Sequence, residues 1–141
     1  MTGGCLLCAL AAGELERSLV GETERAVAIM DIRPVNPGHV LVFARAHAPG
    51  LLDWADEDAA EVLALGRRVA AALYASSLRC EGVNLFLADG ETAGQEVFHV
   101  HLHVIPRFEG DGFGLRFGPD YRVRDRAELD EAAARLREGL V

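Results

Sequence analysis

The sequence predicts an α+β domain: a mainly antiparallel sheet, a long central helix and a C-terminal helix. Three observations carry this. HVLVFA (39–44) and HVHLHV (99–104) alternate with period two, as half-buried strands do. One long stretch after Pro49 and Gly50 repeats its apolar residues at the helical period instead. The elements run helix, strands, helix, hairpin, helix, which keeps strands and helices apart.

Each element has its own grounds. Residues 5–15 read as a short helix with Leu6, Ala9 and Leu10 inward. A turn at Gly21 joins two strands, about 17–20 and 26–32. RPVNPG (33–38) is a breaker-rich loop, and 39–44 returns as a strand. The long helix takes Asp53 or Asp56 as its cap, and Ala59, Val62, Leu65 with Gly66, Val69 and Leu73 form one apolar stripe. Strands at 82–87 and 97–105 flank the turn ADGETAGQ. FEGDGFGLRFGPDY (108–121), with four glycines and three phenylalanines, is an irregular loop. A final helix starts at Asp125 with Glu128 three residues on, turns Leu129, Ala133 and Leu136 inward, and stops at Gly139. The expected organisation is a single domain over 1–141, its core about 5–107, with the loop and helix of 108–141 after it.

The 141 residues, half of them hydrophobic and 26% charged, suffice for one domain with a core. A net charge of −8 excludes the broad basic surface that nucleic acid requires. An anionic ligand must therefore be met locally, by backbone N–H groups, imidazoles or a single arginine. No run approaches the ~20 apolar residues of a membrane span. The first residues are briefly apolar but lack a basic start, and Glu14 and Glu16 follow at once, so a cytoplasmic protein is expected. Three cysteines, an odd count, argue against a disulfide framework.

HVHLHVIPR (99–107) concentrates three of the chain's five histidines. In a strand, His99, His101 and His103 share one face while Val100, Leu102 and Val104 share the other. The row is a metal site or a catalytic one. Same-face neighbours on a strand stand ~7 Å apart, whereas zinc ligands sit ~2 Å from their metal. Three histidines in a straight row converge poorly on one ion, so catalysis suits them better. Neutral imidazole has a free lone pair at neutral pH and attacks an electrophile without prior deprotonation. Attack needs Nε2 bare and Nδ1 protonated, a tautomer that a nearby backbone carbonyl can fix.

AGQEVFHVHLHVIP, with Gly-Gln ahead of the alternating histidines, resembles the signature of the histidine triad (HIT) family. DIRPVNPGHVLVFARAH resembles the family's Asp-x-x-Pro…Pro-Gly-His segment. The resemblance spans about 5–107. It implies a HIT-like fold, a homodimer and a hydrolase of nucleoside phosphoramidates or related nucleoside monophosphate esters, with a purine nucleotide as substrate. The alternatives are a dinucleoside polyphosphate hydrolase and a nucleotide-binding regulatory protein with residual activity. By the resemblance, His101 becomes the nucleotidyl-carrying nucleophile. His103 lies beside the leaving group and phosphoryl oxygens, as proton donor or charge stabiliser. His99 completes the catalytic row and His39 supports it. Asp31 meets the ribose hydroxyls, and backbone N–H groups around Gln95, Glu96 and Val97 cradle the phosphate. Ile29, Ile32 and Val40 line the base pocket, and no metal is needed for the chemical step. Two positions depart from the family pattern: Ala88 stands where many members carry Asn or Gln, and Glu96 where some carry Ser.

The Cys5-x-x-Cys8 pair reads as a redox pair, half a zinc site or two buried cysteines, and no thioredoxin-like βαβ pattern surrounds it. A structural zinc needs four ligands. By the same resemblance, zinc-bearing members complete the set with a histidine at the position of His47 and the first triad histidine, His99. His99 then becomes structural rather than catalytic.

Overall fold

The described chain, residues 4–140 of this computed structural model, turns its period-two stretches into one antiparallel sheet. Its strands are β1 (Leu19–Glu22), β2 (Ala26–Met30), β3 (Val40–Ala44), β4 (Gly82–Leu87) and β5 (His101–Arg107), in the order β1-β2-β3-β5-β4. The helices are α1 (Leu6–Ala11), α2 (Asp56–Ala75) and α3 (Arg126–Gly139). The fold class is the expected α+β. The chain divides into two compact units, one running through Asp111 and one starting at Gly112. The sheet, α1 and α2 belong to the first and α3 to the second.

Register decides what each face carries. Phe43 stands opposite both Val27 and His101, and Leu41 opposite both Ile29 and His103. Directly opposed residues share a face, so His101 and His103 lie on the side of Val27, Ile29 and Phe43. Ala28, Val42, Leu102 and Val104 lie on the other, where Val62, Leu65, Val69 and Leu73 of α2 cover them. Gly66 sits in that stripe because the helix runs close to the sheet: a Cβ there would stand 2.9 Å from Leu102 Cδ2. On the histidine face, Leu7 and Ala11 of the six-residue α1 pack on Val27, Ile29 and Phe43. His101 and His103 stay partly open.

Several elements differ from their expected form. Helix α1 ends at Ala11, with Gly13 left-handed at φ +75°. Its inward residues are Leu7 and Ala11, one turn apart, while Leu6 is half exposed. Gly21 does not turn the chain. It lies within β1 at a register shift, and the turn comes at 23–25, where Thr23 N–H donates to Ala26 O at 2.8 Å. Neither Asp53 nor Asp56 caps α2. Asp53 instead accepts from Gly50 N–H at 2.9 Å in the preceding 3₁₀ turn, and Asp56 puts its charge in the first helical turn, where the helix dipole favours it. Strand β5 starts at His101 rather than 97, because the backbone ahead of it bonds elsewhere: Val100 N–H donates to Ala48 O at 2.8 Å. Helix α3 begins after Asp125 without a side-chain cap bond and includes Gly139. The expected inward stripe on α3 is not buried: Leu129 is 41% and Leu136 76% exposed.

Candidate active site and cysteine–histidine cluster

The sheet places His101 so that its own backbone selects its tautomer. His101 Nδ1 lies 2.9 Å from the carbonyl of His99. A carbonyl only accepts, so Nδ1 carries the proton and Nε2 keeps a bare lone pair. That nitrogen lies on the open face of the sheet. The arrangement is that of a nucleophile needing no base to activate it.

His103, two residues on, bonds differently. Its Nδ1 lies 2.9 Å from His39 Nε2, and His39 Nδ1 accepts from Val35 N–H at 3.0 Å. His39 is held by the turn NPGH (36–39), in which His39 N–H donates to Asn36 O at 3.1 Å and Gly38 takes φ +100°, the position that favours glycine in a type II turn. Burial pushes His103 down to about 4, with His101 and then His39 adding, against the opposite pull of Asp31. Burial also lowers His39. Both imidazoles are neutral at pH 7.

Asp31, at the end of β2, accepts from Arg33 N–H at 2.8 Å through Oδ1. Its Oδ2 lies 3.5 Å from His39 Nε2 and 4.0 Å from His103 Nδ1. The fold thus brings Asp31, His39, His101 and His103 together on one face. Sequence reasoning missed the residue that anchors their loop. Buried Asn36 donates to Pro106 O at 2.8 Å and to Asp111 Oδ2 at 2.9 Å, tying the loop to the end of β5. An asparagine among breakers gives no such signal in the sequence.

The loop 90–97 leads toward β5. Gln95 is buried and its side chain is fully used: Oε1 accepts from Gly90 N–H at 2.8 Å, while Nε2 donates to Pro49 O at 2.6 Å and Val97 O at 3.2 Å. Its own N–H donates to Gly90 O. Gln95 therefore shapes the loop from within. The Glu96 carboxylate lies 3.5 Å from the Arg33 guanidinium, both highly exposed, a pair of small energetic worth. Ala88, just past β4, is buried. The expected base-pocket set is divided: Ile29 lies on the histidine face, Val40 is buried under α2 on the other, and Ile32 is 95% exposed. Strand parity separates Ile29 from Val40, and Ile32 lies beyond the end of β2.

His99 takes no place beside His101 and His103. It is fully buried, and its Nε2–H donates to Ala44 O at 2.7 Å. That leaves Nδ1 bare, 3.4 Å from each of Cys5 Sγ, Cys8 Sγ and His47 Nδ1. Cys8 Sγ also lies 3.4 Å from His47 Nδ1. The short helix aims both thiols the same way, with Cys5 as its N-cap accepting from Cys8 N–H. Its last carbonyls are held by arginines: Arg17 donates to Leu10 O at 2.8 Å and Arg45 to Ala11 O at 3.0 Å. Ligand atoms 3.4 Å apart sit about 2.1 Å from a common tetrahedral centre, close to zinc–ligand distances. A histidine ligand whose second N–H rests on a carbonyl is the usual outer support of such a site. Burial and the neighbouring Cys5 push the Cys8 thiol up to about 11, so a cation is what would favour the thiolate. The residues fit a tetrahedral metal.

Fold and site together define a protein with a strand-borne imidazole whose Nε2 is bare, beside a separate Cys₂His₂ cluster. The HIT domain family matches residues 12–110, and the chain belongs to that family. It is 40% identical over 136 residues to an uncharacterized HIT-like protein of Mycobacterium tuberculosis, covering 92% of this chain and 93% of that one. It is 32% identical over 120 residues to the adenosine 5'-monophosphoramidase hnt1 of Schizosaccharomyces pombe, covering 84% and 86%. A HIT family protein from Bacillus anthracis superposes with TM-score 0.90 at 32% identity over both full chains. A Zn-bound histidine triad family protein from Mycobacterium smegmatis does so with TM-score 0.77 at 37% identity, covering 99% of this chain and all of that one.

Proposed function

We propose that the protein is a nucleotide-binding hydrolase that cleaves nucleoside phosphoramidates or related nucleoside monophosphate esters through a nucleotidyl group carried on His101. The observation that carries this reading is the hydrogen bond from His101 Nδ1–H to His99 O, which leaves Nε2 bare on the open face. In the first step Nε2 bonds to phosphorus as the bond to the leaving group breaks. In the second, water displaces the imidazole and releases the nucleotide. The N–H groups of Glu96 and Val97 and the imidazole of His103 serve the phosphoryl oxygens. The activity in the name of the Schizosaccharomyces pombe relative supports the choice of phosphoramidates.

In the same reading Cys5, Cys8, His47 and His99 hold one structural zinc, supported by the fit above and by the zinc-bound relative. Zinc would supply a clamp between the N-terminal segment and β5, and no step of the reaction passes through it. We extend the reading to a purine base, a cytoplasmic location and a homodimer. The dimer is supported by edge strand β4, which leaves Leu85 and Phe86 exposed. No helix among the described residues is long and apolar enough to cross a membrane.

Turnover of adenosine and guanosine phosphoramidates against dinucleoside polyphosphates tests the substrate class. Faster cleavage of phosphoramidates is expected, and cleavage of polyphosphates alone would reject that choice. Asp31→Ala should raise KM for ribonucleotides by about tenfold, the worth of a hydrogen bond to a charged group. The 2′-deoxy substrates, which already lack one hydroxyl, should lose less. Equal losses would place Asp31 away from the ribose.

A further inference from the structure

We infer that His39 is a positioning residue that keeps His103 neutral with its single proton on Nε2, so that His103 donates a hydrogen bond to the phosphoryl oxygens and gives no proton to the leaving group. The inference rests on the nucleotidyl-transfer reading above. Its geometry starts at a backbone amide, whose proton is never in doubt. Val35 N–H donates to His39 Nδ1 at 3.0 Å, so that nitrogen is bare and a neutral His39 carries its proton on Nε2. His39 Nε2 lies 2.9 Å from His103 Nδ1 and 3.5 Å from Asp31 Oδ2, so its proton points at His103. His103 Nδ1 is thereby an acceptor, and its own proton is on Nε2.

The two catalytic histidines thus hold opposite tautomers, each set by a backbone group. His99 O puts the His101 proton on Nδ1 and frees Nε2 to attack. Val35 N–H, acting through His39, puts the His103 proton on Nε2 and frees it to donate. A second proton on His103 would set two N–H groups against each other across 2.9 Å. The groups facing His103 are His39, Asp31, His101 at 4.9 Å between ring centroids, and the Phe86 edge at 5.7 Å. Asp31 is the only anion among them, and its Oδ2 is 4.0 Å from His103 Nδ1. Burial outweighs it and keeps His103 near 4.

Asp31, His39 and His103 also form a compact set of ligand atoms. A cation on His39 Nε2 would require a doubly deprotonated ring or the loss of the Val35 bond, because Nδ1 is already an acceptor. The set is therefore a hydrogen-bonded chain and not a metal site.

A chemical consequence follows for the leaving group. As His101 Nε2 bonds to phosphorus, the electron pair of the breaking bond departs with the leaving atom. The proton that atom needs arrives with the substrate, where the phosphoramidate nitrogen carries one proton more than its neutral form before the bond breaks, or from water, while the His103 proton stays on Nε2. The preferred substrates have amines that carry their own proton, or leaving groups that need none.

The test is a histidine-labelled ¹⁵N spectrum of the intact protein, with His103 assigned by its loss in His103→Gln. One-proton His103 on Nε2, not titrating between pH 5 and 8, is expected. In His39→Ala, and in His39→Gln should alanine not fold, His103 should gain its second proton nearer the ordinary histidine range. A parallel series of aryl esters of a nucleoside monophosphate should give kcat/KM that falls steeply with leaving-group basicity in the wild type and less steeply in the His39 variant. Wild-type His103 titrating near neutrality, a proton on its Nδ1, or a flat leaving-group dependence would overturn the inference. If no nucleotide is cleaved at all, the function reading fails, while the spectrum still decides the tautomer.

Discussion

Replacing His101 with alanine should lower turnover of nucleoside phosphoramidates by on the order of a thousand-fold or more, as loss of a nucleophile does. The size of the effect follows from the position of His101. It stands in β5 between β3 and β4, its Nδ1–H fixed on His99 O, and no second imidazole on that face presents a bare Nε2 among the described residues. His103 cannot replace it, because its lone pair is on Nδ1 and faces His39. The N–H groups of loop 90–97 and Asp31 are untouched, so nucleotide should still bind within a few-fold of the wild type. Calorimetric titration with a nucleoside monophosphate and steady-state turnover separate the two effects. A variant that keeps more than about a tenth of the activity would mean that water attacks phosphorus directly.

The second large effect concerns the cysteine–histidine cluster. Purified protein should carry about one equivalent of zinc by elemental analysis. Cys5→Ser with Cys8→Ser should remove it and lower Tm by about 10 °C, since a lost metal costs several kcal/mol and each is worth roughly 2–4 °C in a chain of this size. The loss should fall on the N-terminal segment. α1 is six residues long and buries only Leu7 and Ala11, so little else than the cluster and the two arginines holds it. Turnover should persist. His99→Ala should resemble the cysteine variants more than it resembles His101→Ala, because it removes a ligand while its backbone carbonyl still holds His101. Metal-free protein whose melting is unchanged by added zinc would reject the cluster as a metal site.

The outcome at each position shows what a sequence can carry. Strands 39–44 and 82–87 were legible because alternation and helical repeat are local properties, and α2 kept its stripe from Val62 to Leu73. Other ends were not, because ends depend on partners elsewhere. β5 starts late because Val100 bonds to Ala48, and Gly21 sits inside a strand because Thr23 closes the turn. The histidine row announced a shared face, yet His99 left it for a buried pocket against Ala44 O, a contact across 55 residues. Gln95 was legible as important and illegible in role: its side chain builds the loop from within. The bond between Val35 and His39, which decides the chemistry of His103, rests on a backbone amide and so leaves no mark in residue identity.

The central claim is the covalent nucleotidyl group on His101, and peptide mass mapping tests it most directly. Enzyme mixed with a slowly released phosphoramidate and denatured in alkali within the first turnover keeps the N–P bond intact for digestion. The account predicts a peptide spanning His101 heavier by one nucleoside monophosphoryl group, with the site on His101 and no adduct in His101→Ala. Rapid turnover with no adduct, or an adduct on any other residue, would contradict it.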